Sequence, residues 1–168
     1  GQGIAKRALG FGMNVIYHNR SHLSDADEKA CGAKYVSKEE LLRTADHVVL
    51  VLPYSVESHH TIGAKEIALM KPTATLINIA RGGIVDDAAL AKALQSGKIF
   101  AAGLDVFEGE PQVHPELLKC SNIVLAPHIA SATEKTRRAM VDLAVENLRA
   151  ALDGKKPPSL INAEVFKA

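Results

Sequence analysis

Apolar residues follow two alternating regimes along this chain. Short runs rich in Val, Ile and Leu occupy residues 14–18, 47–52, 74–79, 99–104 and 122–126, with a weaker run at 34–36. They lack the polar alternation of a half-exposed strand, which is the signature of strands buried on both faces by crossover helices. Amphipathic stretches with local start and stop signals lie between them. Ser37 with Glu40 forms a capping box, Asp86 or Asp87 precedes AALAKALQS before Gly97, and Pro115 opens PELLK. The last stretch starts at Ser131 with Glu134 three residues on, and Gly154, Pro157 and Pro158 stop it. Met140, Leu143, Ala144, Leu148, Ala151 and Leu152 form its apolar stripe. The alternation predicts an α/β fold built on a parallel sheet.

Three of the strand candidates deliver a chemically loaded residue just past their carboxyl ends. ATLINIARGG yields Arg81, IFAAGLDVFEGEP yields Glu110 and NIVLAPHIAS yields His128. Ligands of open parallel sheets bind outside the strand carboxyl ends, so the three exits can converge although they are distant in sequence. Singly, each has a plain reading: a surface arginine before Gly82 and Gly83, a solvated loop acid, a histidine capping the last helix. Their ordered succession after three strands favours a site for carbonyl chemistry. A guanidinium fork presents several charged donors at fixed geometry to a carboxylate or a carbonyl oxygen. An imidazolium delivers a proton to the developing alkoxide, and a neighbouring carboxylate favours its charged form.

Composition narrows the partners. The chain has 168 residues, 47% of them apolar, and a formal net charge of +1 with Lys and Arg scattered, which gives no reason to expect nucleic acid or an acidic membrane surface. No signal peptide or spanning segment is indicated. Cys31 and Cys120 fit no disulfide framework, so a reducing compartment, the cytoplasm, is expected. No HExxH or CxxC spacing points to a metal, and His18, His22, His47, His59, His60 and His114 read as structural or exposed.

NIARGGIVDDAAL, AAGLDVFEGEP and PHIASAT, in this order and spacing, resemble the three signatures of the D-isomer-specific 2-hydroxyacid dehydrogenases. The resemblance covers nearly the whole chain. It implies Arg81 as the substrate-binding arginine, His128 as the acid/base and Glu110 as its paired carboxylate. It also implies a Rossmann-type doubly wound parallel sheet, which expects GxGxxG after its first strand. Here GQG is followed by Lys6 where the final glycine would fall, so the resemblance makes Gly1 the last glycine of that fingerprint. The expected sheet is therefore incomplete, lacking its first strand and most of the phosphate loop. Residues 1–154 are expected to be a partial NAD(P)-binding domain, with 155–168 as a tail returning to an absent substrate domain. About five missing apolar side chains at roughly 1.5–3 kcal/mol each rival a domain's whole stability. The chain is accordingly expected to be a portion of a longer protein.

Cofactor preference is read at the second-strand exit, VIYHNRS. Asn19 stands where NAD-preferring sites carry an acid, and Arg20 and Ser21 follow, so NADP(H) is favoured and NAD(H) remains possible. The plain alternative makes Arg20 a surface residue. By resemblance Leu52 and Pro53 approach the adenosine, Ala80 and Asp105 flank the nicotinamide, and Thr61, Arg81, His128 and Ala130 complete the cofactor candidates. Pro53 reads equally as a strand terminator. The implied reaction is reduction of glyoxylate, hydroxypyruvate or 2-ketogluconate to the D-hydroxy acid by a homodimeric parent. Two alternatives stay open: an NAD-linked enzyme similar to phosphoglycerate dehydrogenase, and a dinucleotide-sensing corepressor-like binding protein.

Overall fold

Every strand pairing in the computed structural model, which describes residues 1–166, is parallel. The chain divides into two units, Gly1–Pro127 and a second beginning at His128, and the first holds the sheet. β1 (Val15–Tyr17) pairs with β2 (Ala33–Tyr35), while β3 (His47–Leu50), β4 (Thr75–Asn78), β5 (Ala101–Leu104) and β6 (Ile123–Leu125) lie side by side in chain order. Each expected apolar run holds one of these strands, within one or two residues of its expected limits. Register sets Val48 beside Leu76 and Leu76 beside Ala102, and all three are buried. With helices beside it, this is a Rossmann-like α/β arrangement.

Helices α3 (Lys38–Thr44), α4 (Ala64–Leu69) and α5 (Asp87–Gln95) contribute Leu42, Ile67, Leu90 and Leu94 to the same core cluster as β3 to β5. Each such side chain contributes about 1.5–3 kcal/mol by leaving water. Ser37 caps α3 by accepting from the Glu40 N–H at 3.1 Å, which is one half of the expected capping box. Of the two aspartates before α5, Asp86 is the cap, accepting from the Ala89 N–H at 2.9 Å. α1 (Gln2–Gly10) begins the chain. α2 (Asp25–Cys31) and α4 were not anticipated; they have seven and six residues, too short to show an apolar stripe. For α2 the local signals were present: Ser24, which accepts from the Asp27 N–H, and Gly32, which ends the helix at φ 57°.

Two expected helix starts are corrected. PELLK forms only one 3-10 turn, Leu117–Lys119, because β6 begins at Ile123 and leaves no chain for a longer helix. The final helix, α6 (Glu134–Leu152), is capped by Thr133 rather than Ser131. Ile129 and Ala132 close a backbone turn at 2.9 Å, which uses Ser131 before the helix can start. No residue of α6 is buried, its apolar stripe included.

Among the described residues β1 pairs only with β2, and β3 only with β4. Between their unpaired edges lies a slot of about 860 Å³, lined by Val15 and Tyr17 on one side, by His47 and Val49 on the other, and by Gly1 and Ala5 from the start of α1. Among the described residues no helix is long and apolar enough to cross a membrane. Cys31 and Cys120 are both free thiols.

Candidate functional site

Asn78 ends β4 and builds the turn that delivers Arg81. Its side chain, 2% exposed, accepts from the Ala80 N–H at 3.0 Å through Oδ1 and donates to the Arg81 carbonyl at 3.1 Å through Nδ2. The amide thus replaces ladder partners lost where the strand stops. Arg81 is exposed, with Nη1 donating to the Ala80 carbonyl at 2.6 Å. Gly82 then runs against the next strand exit: a β-carbon there would fall 1.8 Å from the Phe107 carbonyl oxygen, which only glycine avoids. Gly83 turns the chain at φ 77°, and its carbonyl accepts from the His60 N–H at 2.7 Å.

β5 delivers Asp105, a buried residue whose N–H donates to the Asn78 carbonyl at 3.0 Å. The loop beyond folds back on itself. Glu110 Oε1 accepts from the Phe107 N–H at 2.9 Å, and Asp87 Oδ2 accepts from the Glu108 N–H at 3.0 Å. Asp87, first in α5, is 4% exposed. Burial is the main cause that pushes its carboxyl above the ordinary range, the Glu108 amide opposes it, and the negative charge of Glu108 adds to it. The Arg81 and Glu110 turns therefore pack together at the carboxyl ends of adjacent parallel strands.

His128 opens the second unit. Its backbone is left-handed, with φ 54°, a conformation few non-glycine residues adopt. Its side chain is exposed, as is Ala130 in the turn that follows.

Most of the remaining dinucleotide candidates belong to the first unit's other strand exits. Asn19, Arg20 and Ser21 are exposed beyond β1, and Asn19 lines the slot together with Gly1. The Gly1 carbonyl accepts from the Ile4 and Ala5 N–H groups at 2.9 and 3.0 Å. No side chain caps α1 and its first turn holds no acid, which leaves its N-terminus suited to an anion. A β-carbon on Gly1 would lie 3.4 Å from Val51 Cγ2, so this helix start adjoins the β3 exit that carries Leu52 and Pro53. The Ser55 hydroxyl is the largest influence holding Glu57 below the usual carboxylate range, and the Arg20 charge reaches far enough to assist. Thr61 is engaged locally, its hydroxyl donating to the Ser58 carbonyl at 2.8 Å.

Comparison with known proteins supplies the family and supports the fold. The family described as D-isomer specific 2-hydroxyacid dehydrogenase, NAD binding domain, matches residues 1–130, a span that contains every candidate residue above. The chain belongs to that family. It is 51% identical over 166 residues to a glyoxylate reductase of Thermococcus onnurineus, covering 99% of this chain and 49% of that protein. A glyoxylate reductase structure from Paecilomyes thermophila superposes with a TM-score of 0.89 at 43% identity, covering 98% of this chain and 49% of its own. An NADPH-dependent glyoxylate/hydroxypyruvate reductase from Sinorhizobium meliloti, in complex with NADP and malonate, gives 0.84 at 38% identity, covering 90% of this chain and 46% of its own. The chain spans about half the length of the curated relatives it matches.

Sequence reasoning missed the groups that hold the exits in place. Asn78 reads as one more strand residue and Asp87 as one of two capping aspartates. Their roles depend on the Arg81 and Glu108 turns folding back over them.

Proposed function

We propose that the full-length protein reduces a small 2-oxo acid, glyoxylate, hydroxypyruvate or 2-ketogluconate, to the D-2-hydroxy acid, with NADPH preferred over NADH. The observation that carries this reading is the contact of Gly82 with Phe107, which seats the Arg81 and Glu110 turns side by side. A guanidinium and a carboxylate at neighbouring strand ends suit the recognition and protonation of a keto acid. Arg81 binds the substrate carboxylate and polarises its ketone. His128, as imidazolium, gives its proton to the keto oxygen, and Glu110 is assigned to favour that charged form.

The chain's own residues fit a dinucleotide. The uncapped start of α1 at Gly1 suits a pyrophosphate, Asn19 to Ser21 suit the ribose, and Leu52 and Pro53 suit the adenosine. Ala80 and Asp105 are assigned to the nicotinamide end, Ala130 is a further cofactor contact, and Thr61 has a lesser role. When bound, the dinucleotide supplies the hydride. Arg20, with no acid at position 19, supports a 2′-phosphate partner. Residues 1–154 are proposed as an NAD(P)-binding domain short of one strand, with 155–168, whose last two residues lie outside the described ones, as a tail toward a substrate domain. The unpaired edges of β1 and β3, and the slot between them, support that reading.

The test is oxidation of NADPH and NADH by the full-length protein with each of the three acids. Arg20→Ala is expected to weaken NADPH far more than NADH. Equal losses would remove the phosphate role, and dinucleotide-dependent assembly without turnover would favour the corepressor-like alternative.

A further inference from the structure

The histidine pair after the β3 exit meets a carboxylate from the β5 exit, beside the Arg81 and Glu110 turns and through side chains that have no assigned part in the reaction. The His59 and His60 rings stack with centroids 3.8 Å apart at 21°. His60 Nε2 lies 2.9 Å from Glu108 Oε2, and His59 Nε2 lies 3.9 Å from Glu108 Oε1. One ligand atom from each of the three residues falls within 4.8 Å of the others. Tetrahedral zinc, with bonds of about 2.0–2.2 Å, sets its ligand atoms roughly 3.3 Å apart, so modest side-chain rotation closes the set.

We propose that His59, His60 and Glu108 bind one Zn²⁺ ion, which clamps the β3 exit loop to the β5 exit loop. Three further features support it. Tyr54 Oη lies 3.2 Å from His59 Nδ1, so an outer partner can orient that ring and leave Nε2 for the metal, as ligating histidines require. His60 holds a left-handed backbone at φ 49°, a conformation that persists in a non-glycine residue only where its surroundings enforce it. The enforcing bonds are visible: its N–H donates to the Gly83 carbonyl at 2.7 Å, and the following Ile62 bridges in parallel to Val85. On the other side, the Glu108 N–H is held by Asp87 Oδ2 at 3.0 Å. Both ligand-bearing loops are thus fixed by backbone bonds before any ion arrives.

Two imidazoles and one carboxylate favour zinc over magnesium or calcium, which take oxygen donors. The three side chains are 36–41% exposed, so an ion can enter and water can complete its coordination. The adjacency of His59 and His60, with Glu108 48 residues further from His60, matches no contiguous metal motif.

The experiment is calorimetric titration of ZnCl₂ into chelator-stripped full-length protein, repeated with Co²⁺ to read coordination from its visible absorption. His60→Asn and Glu108→Gln are the variants, since asparagine tolerates left-handed backbone and glutamine keeps the shape of glutamate; circular dichroism checks their folding. His47→Ala, at an exposed histidine of β3, is the control. The expected result is one equivalent of Zn²⁺, weakened at least about tenfold by each variant, in line with loss of one ligand, and unchanged in the control. Intense tetrahedral Co²⁺ bands should vanish in His60→Asn. Absence of stoichiometric binding, or binding that survives in both variants, would overturn the proposal.

Discussion

Gly82 and the carbonyl of Phe107 touch so closely that a β-carbon on Gly82 would lie 1.8 Å from that oxygen. The contact is between backbones, so no rotamer change can relieve it. It makes the spacing of the Arg81 and Glu110 turns a property of the main chain.

Gly82→Ala is therefore expected to force the two turns apart. Overpacking of this kind costs about 1–3 kcal/mol, and displacing a positioned arginine should also lower kcat/KM. Urea denaturation and steady-state kinetics on the full-length protein measure the two effects. Unchanged values for both would mean that the loops yield at no cost.

Asn78 makes two side-chain hydrogen bonds within the same turn. Asn78→Ala leaves the Ala80 N–H without its acceptor in a buried position, at an expected cost of about 1–3 kcal/mol. Asn78→Asp keeps the acceptor for Ala80 and loses the donor to Arg81, so its loss should differ from that of alanine. Equal denaturation midpoints for wild type and Asn78→Ala would refute the clamp.

His128→Asn separates chemistry from backbone, because asparagine accepts the φ of 54° seen at this position. Turnover should fall by roughly 10²-fold or more if His128 is the general acid, with little change in thermal midpoint. Turnover near that of wild type would withdraw the assignment.

Asp87 gives a pH dependence with a definite sign. Burial raises its folded-state pKa above the unfolded value of about 3.9, so folding favours the protonated form. Its contribution is fullest below about 3.9 and is lost as pH rises through the elevated folded value. Asp87→Asn keeps an acceptor for the Glu108 N–H and carries no charge, so its stability relative to wild type should grow from pH 4 toward neutrality. Urea midpoints at several pH values measure this. Parallel curves would show that burial of the charge costs nothing.

Much of the sheet was legible because a strand buried on both faces must be apolar throughout, and such runs stand out whatever their partners. Ser37, and the pair Asp86 and Asp87 from which the structure selects Asp86, were legible as caps for a different reason, since their acceptors and donors lie within three residues. The same locality misled at Ser131: a cap signal was present there, but Thr133 offered another. The short helices Asp25–Cys31 and Ala64–Leu69 escaped because periodicity needs more than two turns to show.

Sequence alone thus determined the α/β class, the strand positions and the identity of Arg81, Glu110 and His128 as candidates, because apolar runs and ordered motifs are properties of neighbouring residues. Only the tertiary structure decided that Gly82 meets Phe107, that Asp87 holds Glu108, and that Glu108 meets His60 across 48 positions. Those encounters follow from the parallel pairing of β3, β4 and β5, which sets their carboxyl ends at one rim and brings together loops that no local pattern connects.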